Sequence, residues 1–295
     1  PLGLAASRDV VLRAIGGLLV LYLVYAGFFY VIQRSVLYPG TRLGPGTSWG
    51  GPPGDLDGVE RVRLRTPEGD VEALFVAAGD ASASRDGTVS GPAPAAILFH
   101  GNAELAGDLV APFRELQRHG IAALFVEYPG FGGQPGRPTE ASIMATATAA
   151  YDWLVSREDI DGSRLFAIGR SLGTGPASGL TRVRDVRALV LWSPFVSVGH
   201  LALRKYGLPP FLARDRFDSR AAIRLFDGPI LVFHGLEDGV IPYSNGELLT
   251  AAGTDARLVA WTCAHNDCPP EWSDLWVPLT DFLHERGLVD PGRSR

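Results

Sequence analysis

The chain is short of features that would each point to a particular partner. Lysine is almost missing: among 27 basic residues only Lys205 is a lysine. The arginines are scattered and the formal net charge is −5, so no basic stripe forms and a nucleic-acid partner is excluded. The arginine bias reads as codon usage before it reads as function. Cysteine is scarce as well, and Cys263 and Cys268 alone cannot make a disulfide framework. No internal repeat is visible. Apolar side chains, by contrast, make up 46 % of 295 residues, enough to bury the core of one large α/β domain.

The longest uncharged stretch lies near the N-terminus. Between Arg13 and Arg34 run twenty uncharged, mostly apolar residues, 14–33. As a helix rising ~1.5 Å per residue they cover ~30 Å, the thickness of a bilayer core. Tyr22, Tyr25 and Tyr30 suit the membrane interfaces. A secretory signal has a shorter apolar region. Cleavage at Ala26, the one passable position, would also leave Phe28, Phe29, Val31 and Ile32 on the new N-terminus. The expectation is a single-pass anchor in 1–38, with the lipid bilayer as the partner of residues 14–33. Arginines stand on both flanks, so the side of the membrane that the domain faces is left open. The Gly/Pro-rich stretch 39–58 reads as a linker lifting the domain off the membrane.

Beyond it, Val59–Arg65 and Val71–Ala77 alternate apolar and polar residues around the turn Thr66–Asp70, a hairpin pattern. Ala78–Pro94 has no periodicity and reads as a mobile loop. Short continuous apolar runs follow: Ala95–Phe99, Ile121–Val126, Leu165–Ile168, Ala188–Trp192, Ile230–Phe233 and Leu258–Trp261. Helix-like segments alternate with them at Leu109–His119, Glu140–Ser156, Leu172–Thr181, Tyr243–Ala252 and Leu275–Arg286. Such alternation predicts a mostly parallel sheet flanked by helices, fed by an antiparallel hairpin, which is the α/β-hydrolase layout. The catalytic domain is expected over 59–290. The long connection Ser193–Pro229 leaves room for a small cap around 196–228.

Gly169-Arg170-Ser171-Leu172-Gly173 follows one apolar run and opens a helical segment. This is the G-x-S-x-G nucleophile elbow in the setting that gives the motif meaning. Partners come in the order that arrangement requires, acid then histidine. Asp238 follows the run Ile230–Phe233 and His265 follows Leu258–Trp261, both at carboxyl ends of strands, where open α/β sheets build sites. Glu237 is the rival acid, one residue away. His265 would take the Ser171 proton, and Asp238 would fix the imidazole tautomer. The backbone N–H groups of Leu172 and Asn102 are the candidate oxyanion donors. His100 and His234 end strands and read as structural, while His119, His200 and His284 read as surface or helix-end residues.

At a larger scale a co-linear series of segments resembles one family. It comprises Gln33-Arg34-Ser35-Val36-Leu37-Tyr38-Pro39, His100-Gly101-Asn102-Ala103, Tyr128-Pro129-Gly130-Phe131-Gly132, Gly136-Arg137-Pro138-Thr139-Glu140, the Ser171 elbow through Ala177, Ser193-Pro194-Phe195, Asp215-Arg216-Phe217-Asp218-Ser219, and the Asp238 and His265 segments. Together they are similar to the membrane-anchored α/β-hydrolase-domain proteins, a group that includes depalmitoylating thioesterases. The resemblance implies Ser171, Asp238 and His265 as a triad and no cofactor. Tyr128 and Phe195, within its motifs, are candidates for the substrate pocket. Glu104 stands where the family often has glycine. It is either a carboxylate at the mouth of the pocket or a first-turn helix residue. Cys263 and Cys268 flank His265; a zinc site lacks a distant ligand set, and a disulfide pinning this loop fits an oxidising compartment. The expected activity is hydrolysis of an acyl ester or thioester. An amidase or peptidase of the same fold, or a membrane-tethered binding protein without activity, are the alternatives.

Overall fold

Eight strands form one sheet in the order β1-β2-β4-β3-β5-β6-β7-β8 in the computed structural model, which describes residues 2–44, 58–79 and 91–289. β1 (Val59–Thr66) and β2 (Gly69–Val76) make the antiparallel hairpin, and β2 pairs antiparallel with β4 (Ala122–Val126). From there β3 (Ala93–Phe99), β5 (Ile160–Arg170), β6 (Leu189–Trp192), β7 (Ile230–Gly235) and β8 (Ala256–Trp261) are all parallel. Every residue of β4, β6 and β7 is buried, which is why these strands read as unbroken apolar runs. Successive side chains alternate between two apolar layers, Leu124 with Ile97 on one face and Phe125 with Leu98 on the other.

Helices α2 (Ala106–Phe113), α3 (Glu115–Arg118), α4 (Glu140–Val155), α5 (Thr174–Leu180), α8 (Ser244–Thr250) and α9 (Trp272–Glu285) connect and flank the strands. The segment expected as one helix over Leu109–His119 is instead two. Pro112 brings no N–H to the ladder, and α2 ends one residue later. β5 begins earlier than its apolar run, at Ile160, because Ile160 already pairs with Ala93 of β3, and Asp161 and Arg164 form an ion pair (2.6 Å) on this polar first part. The long connection after β6 carries the cap: α6 (Val198–Tyr206), a 3-10 turn Pro210–Leu212 and α7 (Ser219–Ile223). Ser197 caps α6 by accepting from His200 N at 3.0 Å, and Gly207 ends it at φ 63°, where a side chain would be strained.

Helix α1 (Leu2–Leu37) is continuous. Its stretch Asp9–Leu37 holds an 18-residue window of mean hydropathy 2.2 and has the length and composition to cross a membrane, as an anchor or as a signal sequence. Its C-terminal part is packed on the cap. Tyr22 and Tyr25 hydroxyls donate to Gly207 O and Tyr206 O, each at 2.9 Å. Gln33 donates to Leu212 O (3.2 Å) and accepts from Arg214 N (2.8 Å). Arg34 grips buried Asp215 with two bonds, 2.8 and 3.1 Å.

The start of the expected linker is therefore corrected: residues 39–44 do not lift anything away. Tyr38 and Gly40 are buried, Pro39–Arg42 forms a 3-10 turn, and Gly40 N donates to Asn102 O at 3.0 Å. A Cβ at Gly40 would collide with the Phe131 ring, so close packing requires glycine there. The rest of that stretch, 45–57, lies outside the described residues, as do 80–90 of the expected loop and 290 at the domain end.

Candidate active site

The elbow is held by main-chain contact. Ser171 sits at φ 50°, a conformation a non-glycine residue adopts only when its surroundings impose it. A Cβ at Gly169 would run into the backbone of Gly173, and one at Gly173 into that of Phe99. The two glycines thus let the turn pass between β3 and the start of α5. Thr174 ties it further, its hydroxyl donating to Ser171 O at 2.7 Å.

Asp238 and His265 come to the same place from the ends of β7 and β8. His265 Nε2 lies 3.0 Å from Ser171 Oγ, and His265 Nδ1 lies 2.6 Å from Asp238 Oδ2. A carboxylate only accepts, so Nδ1 carries the proton and Nε2 is free to take the hydroxyl's. Asp238 is fixed as firmly as the serine: its Oδ1 accepts from Val240 N (2.9 Å) and Ile241 N (2.7 Å). Burial pushes the Asp238 carboxyl up. Hydrogen bonds from His234 and His265, the charge of His265 and the Ile241 N–H outweigh that, holding it well below the usual carboxylate range. Glu237, the rival acid, is exposed. His234 is fully buried with Nε2 donating to Ile241 O at 2.8 Å, so it shapes the acid loop. Cys263 and Cys268 are joined in a disulfide that brackets His265.

The loop after β3 is organised from beneath. His100, fully buried, stacks on Tyr128 with ring centroids 4.0 Å apart, and its Nε2 meets Glu127 Oε1 at 2.8 Å. Glu127 also accepts from Ala106 N (3.0 Å) and Tyr128 N (3.0 Å). Sequence reasoning missed this buried carboxylate; its signal was an acid directly after the apolar run of β4. Two pocket candidates are corrected here. Tyr128 is buried in the core and donates its hydroxyl to His100 O at 2.8 Å, so it supports the loop from behind. Glu104 precedes α2; it accepts from Gly101 N (2.6 Å) and forms an ion pair with Arg170. Neither is in the cavity wall. Phe195 is, and so are Asn102 and Leu172, on either side of Ser171.

That cavity, of about 220 Å³, runs from Ser171 between the cap and α1. Leu201, Ala202 and Tyr206 of α6 form one wall; Ala26, Phe29 and Tyr30 of α1 form the other. The contribution of α1 was also missed. Its signals were the i, i+3, i+4, i+7 spacing of Ala26, Phe29, Tyr30 and Gln33, and a glutamine inside an apolar span.

A nucleophile elbow at the carboxyl edge of a parallel sheet, with an acid and a histidine from the next strands, defines an α/β-hydrolase. Residues 91–217 match the family model described as serine aminopeptidase, S33. An uncharacterized protein of Mycobacterium tuberculosis is 35% identical over 212 residues, 68% of this chain and 74% of that protein. The α/β-hydrolase domain-containing protein 17C of Xenopus tropicalis is 29% identical over 221 residues, covering 72% of this chain and 66% of the relative. Among solved structures, an esterase from Thermogutta terrifontis shares the fold with TM-score 0.62 at 18% identity, over 81% of this chain and 96% of the esterase. The chain belongs to the α/β-hydrolase-domain serine hydrolase family, and it is an esterase-like enzyme.

Proposed function

We propose that the protein hydrolyses an ester or thioester of an apolar acyl chain through a seryl acyl-enzyme, while α1 holds it to a bilayer. The supporting observation is the continuity of the apolar cavity with Ser171 Oγ, itself 3.0 Å from His265 Nε2. In this reading residues 59–290 are one catalytic domain, 196–228 its cap, and 14–33 the membrane-held segment.

Ser171 Oγ attacks the acyl carbon as His265 Nε2 takes its proton. Asp238 stabilises the imidazolium that forms. The oxyanion is met by the N–H groups of Leu172 and Asn102, each worth ~3–4 kcal/mol in the transition state. The alkoxide or thiolate then leaves with the proton from His265, and water activated by the same imidazole releases the acid. Gly40 N donates to Asn102 O, in the peptide unit that follows the oxyanion N–H, and so ties the end of α1 to the oxyanion loop.

The family description raises a second substrate class, peptides. An aminopeptidase has to hold an α-ammonium group, and a carboxylate serves that best. Among the described lining residues there is none; the charged side chain there is Lys205, a cation. Turnover of p-nitrophenyl esters of increasing chain length, matched acyl thioesters and aminoacyl p-nitroanilides separates the classes. Ester and thioester cleavage, lost in Ser171→Ala, is expected. Faster cleavage of the anilides would overturn the reading.

A further inference from the structure

The cap meets α1 too early along the helix for its tip to stay in water. Among the described residues the first hydrogen bond from the apolar stretch to the domain comes from Tyr22, onto Gly207 O at the end of α6. Tyr25 follows onto Tyr206 O, and the Phe29 ring packs against Tyr206 with centroids 5.1 Å apart. Arg8, Asp9 and Arg13 put the start of the uncharged stretch at Ala14, and the residues between it and these contacts, 14–21, rise ~12 Å at ~1.5 Å each. A bilayer core is ~30 Å thick. A crossing helix therefore needs about twelve further residues in lipid, and the residues the cap touches are among them.

The cap surface beside them has the right chemistry. Leu203, Tyr206 and Phe211 are exposed, Phe211 to 74%. Leu203 and Phe211 are not in the cavity wall, while Leu201 and Ala202 on α6 face the cavity. Arg204 lies between, with a stem long enough to carry its charge to lipid phosphates. Further along α1 come the groups expected at a headgroup layer: Arg214 over the Tyr30 ring at 5.8 Å, and Arg34 on Asp215.

We propose that the tip of the cap is seated in the leaflet that α1 enters, so that an acyl chain passes sideways from lipid into the cavity between α1 and α6. The proposal rests on the reading of α1 as a membrane span. It assigns Leu203, Tyr206 and Phe211 as a lipid-facing surface, and it makes the outer edge of the cavity a lipid portal.

The test places a fluorophore at Leu18→Cys, Phe211→Cys or Val155→Cys of the full chain in phosphatidylcholine vesicles with brominated acyl chains. Val155 ends α4 at the opposite edge of the sheet and serves as the aqueous control. Fluorophosphonate labelling of Ser171 reports that each variant is folded. Quenching at Leu18 and Phe211 but not at Val155 is expected. Quenching at Leu18 with Phe211 as bright as Val155 overturns the proposal and leaves the anchor intact. No quenching at Leu18 removes the proposal and the anchor together, while ester hydrolysis in detergent still stands or falls by itself. Equal quenching at all three sites also overturns it. In a second measurement, Phe211→Ser lowers turnover of a long-chain ester held in vesicles roughly tenfold and leaves p-nitrophenyl acetate unchanged. Equal effects on both substrates contradict the portal.

Discussion

At the Ser171 end of the cavity, position is set by backbone: two glycines against neighbouring main chain, a serine at φ 50°, and an aspartate bound by two peptide N–H groups. At the other end the walls are side chains from α1 and α6, elements far apart in sequence and joined by single hydrogen bonds. The reacting end tolerates no added atom, whereas the far end can change shape by one substitution. Chemistry and substrate choice should therefore be separable by mutation.

Asp238→Asn is the sharpest probe of the reacting end. It keeps the shape but presents the wrong donor to His265, and kcat should fall by about 10⁴-fold in a variant that still folds. A loss under tenfold in ester kinetics would mean that the imidazole is oriented by something else. Ala26→Trp probes the far end. It fills the cavity from α1, so kcat/KM for long-chain esters should drop by roughly 10–100-fold while acetate esters keep theirs. An unchanged chain-length profile would show that acyl chains do not lie along α1.

The pH dependence of stability comes next. Asp238 titrates well below its unfolded range, so its contribution is complete above about pH 4 and is lost as the pH falls from there toward its folded value. Acid denaturation followed by circular dichroism should show Asp238→Asn losing less stability than wild type between roughly pH 4 and 2. The smallest effect is expected for Arg34→Gln, which leaves Asp215 buried with Glu140 N as a remaining donor at 3.0 Å. Because Arg34 is about one-third exposed, the cost is about 1–2 kcal/mol, a few degrees in melting temperature.

The same division separates what the sequence made legible from what it hid. Strands, elbow, acid and histidine were readable because each is a local pattern: an apolar run, a G-x-S-x-G, a short loop after a strand. Tyr128 looked like a pocket residue because the motif around it gives no facing; only packing on His100 turns it inward. Glu104 was ambiguous for a similar reason, since its ion pair with Arg170 joins two loops. That α1 also walls the cavity was hidden because a contact over 181 residues of separation decides it, Tyr25 on Tyr206. Within a span that is apolar all round, the spacing of Ala26, Phe29, Tyr30 and Gln33 and the polarity of that glutamine were faint signs that one face of the helix is covered.

The most direct measurement is labelling with a fluorophosphonate of the wild type and of Ser171→Ala in detergent, read by intact mass. One adduct on the wild type, none on the variant, and slowed labelling in His265→Ala are predicted. A folded wild type that takes no label, or a variant that takes it equally, would contradict Ser171 as the nucleophile.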